Sequence, residues 1–183
     1  LLLLGIGTAV AADFDKGSRA YEAGDYRTAL AEWTPLAQQG SEWAQMMLGI
    51  MYENGIGVSK SNKTAAMWYT LSAKQGNAMS QNNLGKNYFN GDGVIQNDKT
   101  AFTWYSLAAE QGLDLAQNNL GVMYHFGFGV LTDYKKAYMW YNIAASNGSN
   151  AAADGKITIA KSMNSSQIDK AQDMSNRCLG SGY

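Results

Sequence analysis

The sequence predicts an all-α fold, a solenoid of stacked helix pairs, on three observations. Residues 41–148 divide into three consecutive blocks of equal length, SEWAQMMLGIMYENGIGVSKSNKTAAMWYTLSAKQG, NAMSQNNLGKNYFNGDGVIQNDKTAFTWYSLAAEQG and LDLAQNNLGVMYHFGFGVLTDYKKAYMWYNIAASNG. Periods of this size mark architectures in which each unit buries its apolar face against its neighbours. Within each block, apolar and small residues recur at helical spacing on two separate stretches. A glycine pair separates those stretches at the same place each time: Gly55/Gly57, Gly91/Gly93 and Gly127/Gly129.

The first stretch of each block is a helix with a stripe at i, i+4 and i+8: Ala44/Leu48/Tyr52, Ser80/Leu84/Tyr88 and Ala116/Leu120/Tyr124. Gly49, Gly85 and Gly121 lie inside these helices, where glycine costs about 1 kcal/mol against alanine. Close approach of a neighbouring helix is the expected return. The double-glycine loop then breaks the helix, and Val58, Val94 or Val130 returns the chain to the core. The second helix carries Ala65, Trp68, Tyr69 and Ala73, with counterparts at Ala101, Trp104, Tyr105, Ala109 and at Ala137, Trp140, Tyr141, Ala145. It ends at Gly76, Gly112 or Gly148, each suited to a left-handed position just past a helix.

Flanking segments are degenerate versions of the same unit, as a solenoid needs to shield its ends. Residues 13–40 form an N-terminal unit in which a Gly24-Asp25-Tyr26 turn replaces the longer loop. Residues 149–183 form a C-terminal cap, with Lys156 and Ile157 where leucine and glycine are expected. A final helix near 166–178 follows, its start read from a capping-box-like Ser166…Asp169 pair. The units are thus 13–40, 41–76, 77–112, 113–148 and 149–183. Residues 1–12, LLLLGIGTAVAA, stand apart as an apolar run ending in small residues, which is the pattern of part of a signal peptide. The run is too short to span a bilayer.

Composition excludes several functions. Fourteen basic residues face fifteen acidic ones in 183, so no basic stripe favours nucleic acid. Asp92 stands between two glycines, but its equivalents are Ile56 and Phe128, and calcium needs several oxygen ligands. A single histidine, His125, and a single cysteine, Cys178, provide neither a multi-histidine metal site nor an internal disulfide. Met46, Met47 and Met51 cluster at helical spacing, the spacing of packing residues rather than copper ligands. The strings Asn62-Lys-Thr64, Asn147-Gly-Ser149 and Asn164-Ser-Ser166 fall at helix boundaries, where such residues serve as caps. No cofactor motif and no metal motif emerges.

The string A-x-x-x-L-G-x-x-Y-x-x-G-x-G-V followed by A-x-x-W-Y-x-x-A-A-x-x-G resembles the Sel1-like repeat, a relative of the tetratricopeptide repeat with a longer loop. The resemblance extends over residues 14–178. It implies a right-handed α/α superhelix whose first helices line a concave groove, and an adaptor rather than a catalyst. A leader on so short a member is similar to the bacterial periplasmic or secreted type. A cysteine-rich secreted branch of the family, which includes members assigned as β-lactamases, has a disulfide in each repeat, and this chain lacks those cysteines.

An enzyme of β-lactam or cell-wall chemistry is the alternative. No serine here has lysine three residues on, and Lys63-Thr64 and Lys99-Thr100 are followed by alanine rather than glycine. The favoured expectation is a protein or peptide partner, held on the helix face opposite the buried stripe. That face presents Trp43, Met46, Ile50, Glu53 and Asn54 in one unit, then Met79, Asn82, Lys86, Phe89 and Asn90 in the next. The third unit adds Leu115, Asn118, Val122, His125 and Phe126. Asn83 and Asn119, at the edge of the face, match an asparagine used for peptide contact in related repeats. An alternative role for these amides is bonding to a neighbouring helix. The leader assignment carries a direct test: intact-mass measurement on protein from the native host should show loss of the residues through Ala11 or Ala12. Recovery of the full chain from the cytoplasm would contradict export.

Overall fold

The computed structural model describes residues 12–181, so the leader assigned to residues 1–12 lies almost wholly outside the described residues. Ten helices occur among them, packed as consecutive pairs: α1 (Phe14–Glu22), α2 (Tyr26–Gln38), α3 (Glu42–Asn54), α4 (Asn62–Lys74) and α5 (Ala78–Asn90). There follow α6 (Asp98–Glu110), α7 (Asp114–Phe126), α8 (Tyr134–Ser146), α9 (Asn150–Ala160) and α10 (Ser165–Ser181). Each helix from α1 to α8 packs on the next in the chain, and α10 returns to lie against α8.

Local chemistry sets the helix ends. Side chains of Ser41, Ser61, Asn77 and Asn97 accept from the backbone N–H three residues on, satisfying donors that an α-helix start leaves open. The first helices end on Gly55, Gly91 and Gly127 at φ +71°, +80° and +76°, a left-handed conformation that favours glycine. The second helix α4 closes with Gly76 N–H donating to the Ala73 carbonyl and Asn77 N–H to the Ser72 carbonyl, the two bonds of a Schellman motif.

The interior glycines of the first helices have a common purpose. A Cβ built on Gly85 would lie 2.8 Å from Cδ1 of Tyr105, and Gly49 and Gly121 meet Tyr69 and Tyr141 in the same way. In the N-terminal unit Trp33 fills that place against Gly17. Small residues complete the seam, with Ala44, Ala65, Ala101, Ala116 and Ala137 fully buried. The double-glycine loops couple one unit to the next. A Cβ on Gly93 would strike the Asn62 backbone and one on Gly129 the Asp98 backbone.

The C-terminal cap departs from the sequence expectation in two ways. Its last helix is opened by Asn164, not Ser166: Gln167 N–H donates to Asn164 Oδ1 at 3.0 Å, and Asn164 N–H donates to Gln167 Oε1 at 2.9 Å. This reciprocal pair is a capping box set two residues earlier than the Ser166…Asp169 pair. In α9, Gly155 rather than position 157 packs on Tyr141, placing a Cβ 2.8 Å from its Cε1. Lys156 turns its ammonium to Asn142 Oδ1 at 3.1 Å.

Replacing Gly85 with leucine should force Tyr105 off the helix. Overpacking costs about 1–3 kcal/mol, offset by up to about 1 kcal/mol of helix propensity. Thermal unfolding followed by circular dichroism should show a lower midpoint for Gly85→Leu; an unchanged or higher one would contradict the contact.

Candidate protein-binding face

The face predicted from the sequence is carried by α3, α5 and α7, one helix from each repeat. Its outer positions are open. Trp43 is 53% exposed, the equivalent Met79 and Leu115 are also exposed, and at the other end of the helices Phe126 is 60% exposed. The inner positions form a half-buried floor: Met46, Ile50, Asn83, Phe89, Asn118, Asn119, Val122 and His125. Lys86 stays exposed. Asn82 does not belong to the open face, since it is only 6% exposed.

The amides bond to one another. Asn119 Nδ2 donates to Asn82 Oδ1 at 3.0 Å, and Asn82 Nδ2 donates to Asn83 Oδ1 at 3.4 Å. Asn83 in turn hydrogen-bonds the hydroxyl of Tyr69. That hydroxyl donates to Glu53 Oε2 at 2.8 Å, while Lys86 Nζ pairs with Glu53 Oε1 at 2.7 Å. Neighbouring first helices are thereby tied side by side. Burial, with Glu53 adding to it, pushes the Tyr69 hydroxyl far above its ordinary pKa, so it remains a donor.

Aromatic contacts dominate the far end. His125 stacks on Phe126 with centroids 4.2 Å apart and stands edge-on to Tyr134 and Tyr141. Loss of hydration lowers its pKa, which favours the neutral ring. Phe89 meets Phe128 edge-on at 5.3 Å. Between the second and third repeats, Phe89, Tyr105, Asn119, Val122 and Met123 enclose a small cavity of about 50 Å³.

Elsewhere, the acid of the middle double-glycine loop is held by two amides. Asp92 accepts from Asn62 Nδ2 through one oxygen and from Asn90 Nδ2 through the other. No group of three or more histidine, cysteine or acidic side chains suited to a metal occurs among the described residues. Cys178 is half-buried, and burial raises its pKa, so the thiol stays protonated.

A second set of polar residues escaped the sequence reading. Gln45, Gln81 and Gln117 are buried and equivalent by repeat. Each donates to a carbonyl at the end of the preceding second helix: Ala37 at 3.0 Å, Ala73 at 3.2 Å and Ala109 at 3.3 Å. Each also accepts from an amide of its own unit, Gln75 at 2.7 Å, Gln111 at 2.8 Å and Asn147 at 3.0 Å. The recurrence of glutamine right after the stripe residue was the available signal.

Helix pairs of constant length, joined by a relay of buried amides and presenting one continuous face, define an α-helical repeat protein. The chain belongs to the Sel1 repeat family, whose family profile matches residues 44–77, 78–113 and 114–149. A Sel1 repeat protein from Oxalobacter formigenes has a solved structure similar to this one, with a TM-score of 0.77 and 31% identity over 93% of this chain and 71% of that one. A second similar structure is c5321, described as a protective antigen present in uropathogenic Escherichia coli strains and displaying an SLR fold. Its TM-score is 0.57 at 28% identity, and the match covers 92% of this chain but 45% of that one. No curated protein matches the sequence.

The glutamine relay predicts a stability effect separate from binding. Gln81→Ala removes two bonds, leaving the Ala73 carbonyl with only Gly76 N–H and the Gln111 amide with only the Leu107 carbonyl, at a cost of about 0.5–1.5 kcal/mol per bond. Urea denaturation should show a lower midpoint, with the helical dichroism of the folded protein unchanged below the transition.

Proposed function

We propose that this chain is a non-catalytic protein–protein interaction scaffold of the cell envelope, periplasmic or secreted, that holds a peptide or protein segment in a concave groove lined by α3, α5 and α7. The observation that carries this reading is the row of exposed apolar side chains Trp43, Met79 and Leu115, one at the same position of each repeat. Apolar side chains exposed in a regular row are a mark of an interaction surface. Membership of a repeat family of generally non-catalytic scaffolds supports it. An envelope location is supported by the leader pattern of residues 1–12. Among the described residues, no helix is long and apolar enough to cross a membrane.

The groove offers anchors of unequal worth. Interface energy concentrates in a few buried aromatic and apolar contacts, where truncation costs about 2 kcal/mol or more. Trp43 and Phe126 are the large exposed rings, while Asn82, Asn83 and Asn119 hold the helices together before any partner arrives. The Lys86–Glu53 pair is half-exposed and contributes little to stability.

Selection of displayed random peptides on the immobilised protein tests the reading without knowledge of the natural partner. Trp43→Ala combined with Leu115→Ser should weaken the selected peptides about tenfold or more, with the helical dichroism unchanged. Lys99→Ala with Glu110→Ala, exposed on a second helix, should leave binding intact. Loss with the second pair and not the first would move the binding surface to the outer face.

A further inference from the structure

The three equivalent tyrosines of the second helices end in different surroundings. Positions 53, 89 and 125 correspond by repeat and hold Glu, Phe and His; their neighbours are Tyr69, Tyr105 and Tyr141. In the first repeat, the Tyr69 hydroxyl donates to Glu53. In the third, the His125 ring stands edge-on to Tyr141 at 6.3 Å. In the middle repeat, Phe89 offers no acceptor. Tyr105 is 4% exposed and lines the cavity between the second and third repeats, and its hydroxyl has no hydrogen-bond partner among the described residues. The hydroxyl oxygen is not itself buried, so at the cavity wall it is open to water and can donate to an acceptor brought from outside.

The rest of the lining specifies what could bring that acceptor. Phe89, Val122 and Met123 make the walls apolar. Asn119 commits its amide N–H to Asn82 and keeps its carbonyl oxygen without a bonded donor. A volume of about 50 Å³ admits more than one water-sized group but no aromatic ring. No charged side chain lines the cavity, which disfavours a charged occupant.

We propose that this cavity is an anchoring subsite for one small aliphatic residue of an extended peptide, whose backbone carbonyl accepts from the Tyr105 hydroxyl and whose amide side of the chain meets the Asn119 carbonyl oxygen. The proposal rests on the groove reading above and adds the identity of one anchor. Its apolar wall is particular to the middle repeat, since Glu53 and His125 stand where Phe89 does in the other two.

The test uses the full chain carrying ¹³C-labelled methionine and valine methyls, titrated with the blocked tripeptide acetyl-Ala-Val-Ala-methylamide. Saturable shifts of the Val122 and Met123 methyls are expected. Tyr105→Phe removes only the unpaired hydroxyl and keeps the ring on Gly85, so its dichroism should match the parent. Its Kd for the tripeptide should rise about three- to tenfold, the worth of one neutral hydrogen bond. Absence of a saturable shift, or an equal Kd for Tyr105→Phe, overturns the subsite. Failure of the subsite alone would leave displayed peptides sensitive to Trp43→Ala with Leu115→Ser. Failure of the groove reading alone would leave the tripeptide sensitive to Tyr105→Phe while those peptides ignore the Trp43 and Leu115 changes.

Discussion

An aromatic ring laid on a bare helix backbone is the contact on which each repeat depends. Trp33 on Gly17, Tyr69 on Gly49, Tyr105 on Gly85 and Tyr141 on Gly121 hold the two helices of a pair at one separation. A methyl group on any of these glycines would collide with the ring, so the contact tolerates no other residue without movement. Glycine weakens a helix by about 1 kcal/mol, and burial of a large ring offsets that loss. The same contact carries chemistry to the first-helix face. With its ring on the glycine, Tyr69 reaches Glu53 on the first helix with its hydroxyl, and Tyr105 lines the cavity beside Phe89. Skeleton and proposed binding surface therefore share their tyrosines.

Between repeats, polar bonds and backbone contacts supplement apolar packing. The Gln45, Gln81 and Gln117 side chains each bridge two units, and both ends of each bridge are hydrogen-bonded. A fully satisfied buried amide fixes the rotation of one unit on the next, because any other rotation would strand its donors and acceptors. Asn119 and Asn82 make a second tie across the first helices. Tyr141 is shared between units as well, since both Gly121 and Gly155 pack against it.

Most of the fold was legible in the sequence because its causes are local or recur. Helical spacing gave the pairs, and repeated glycines at Gly55, Gly76 and Gly85 marked helix ends and close contacts. The cap at Asn164 was missed because Ser166 and Asp169 offer the same spacing two residues later. Asn82 was misplaced for a different reason. A helical wheel describes one helix, whereas the burial of Asn82 comes from Asn119 on the next. The glutamine relay was visible as a recurrence but reads as surface polarity until the preceding helix end is in place. The free hydroxyl of Tyr105 depends on Phe89 standing where Glu53 stands, a comparison that gains meaning only once tyrosine and position 89 are known to adjoin.

The glutamine relay also bears on how such a chain can change in length. Gln81 reaches back to Ala73 and accepts from Gln111, so each glutamine of the relay bonds only within its own repeat and to the one before it. A tandem duplication of residues 77–112 would therefore regenerate both halves of the relay at each new junction. Growth or loss in whole units preserves the pairing, while an insertion of partial length in a helix would misalign it. The relay stops where Ala153 takes the glutamine position and Lys156 reaches back to Asn142 instead. Recombination between the equal-length units could thus lengthen or shorten the first-helix face one step at a time, with the same two ends kept.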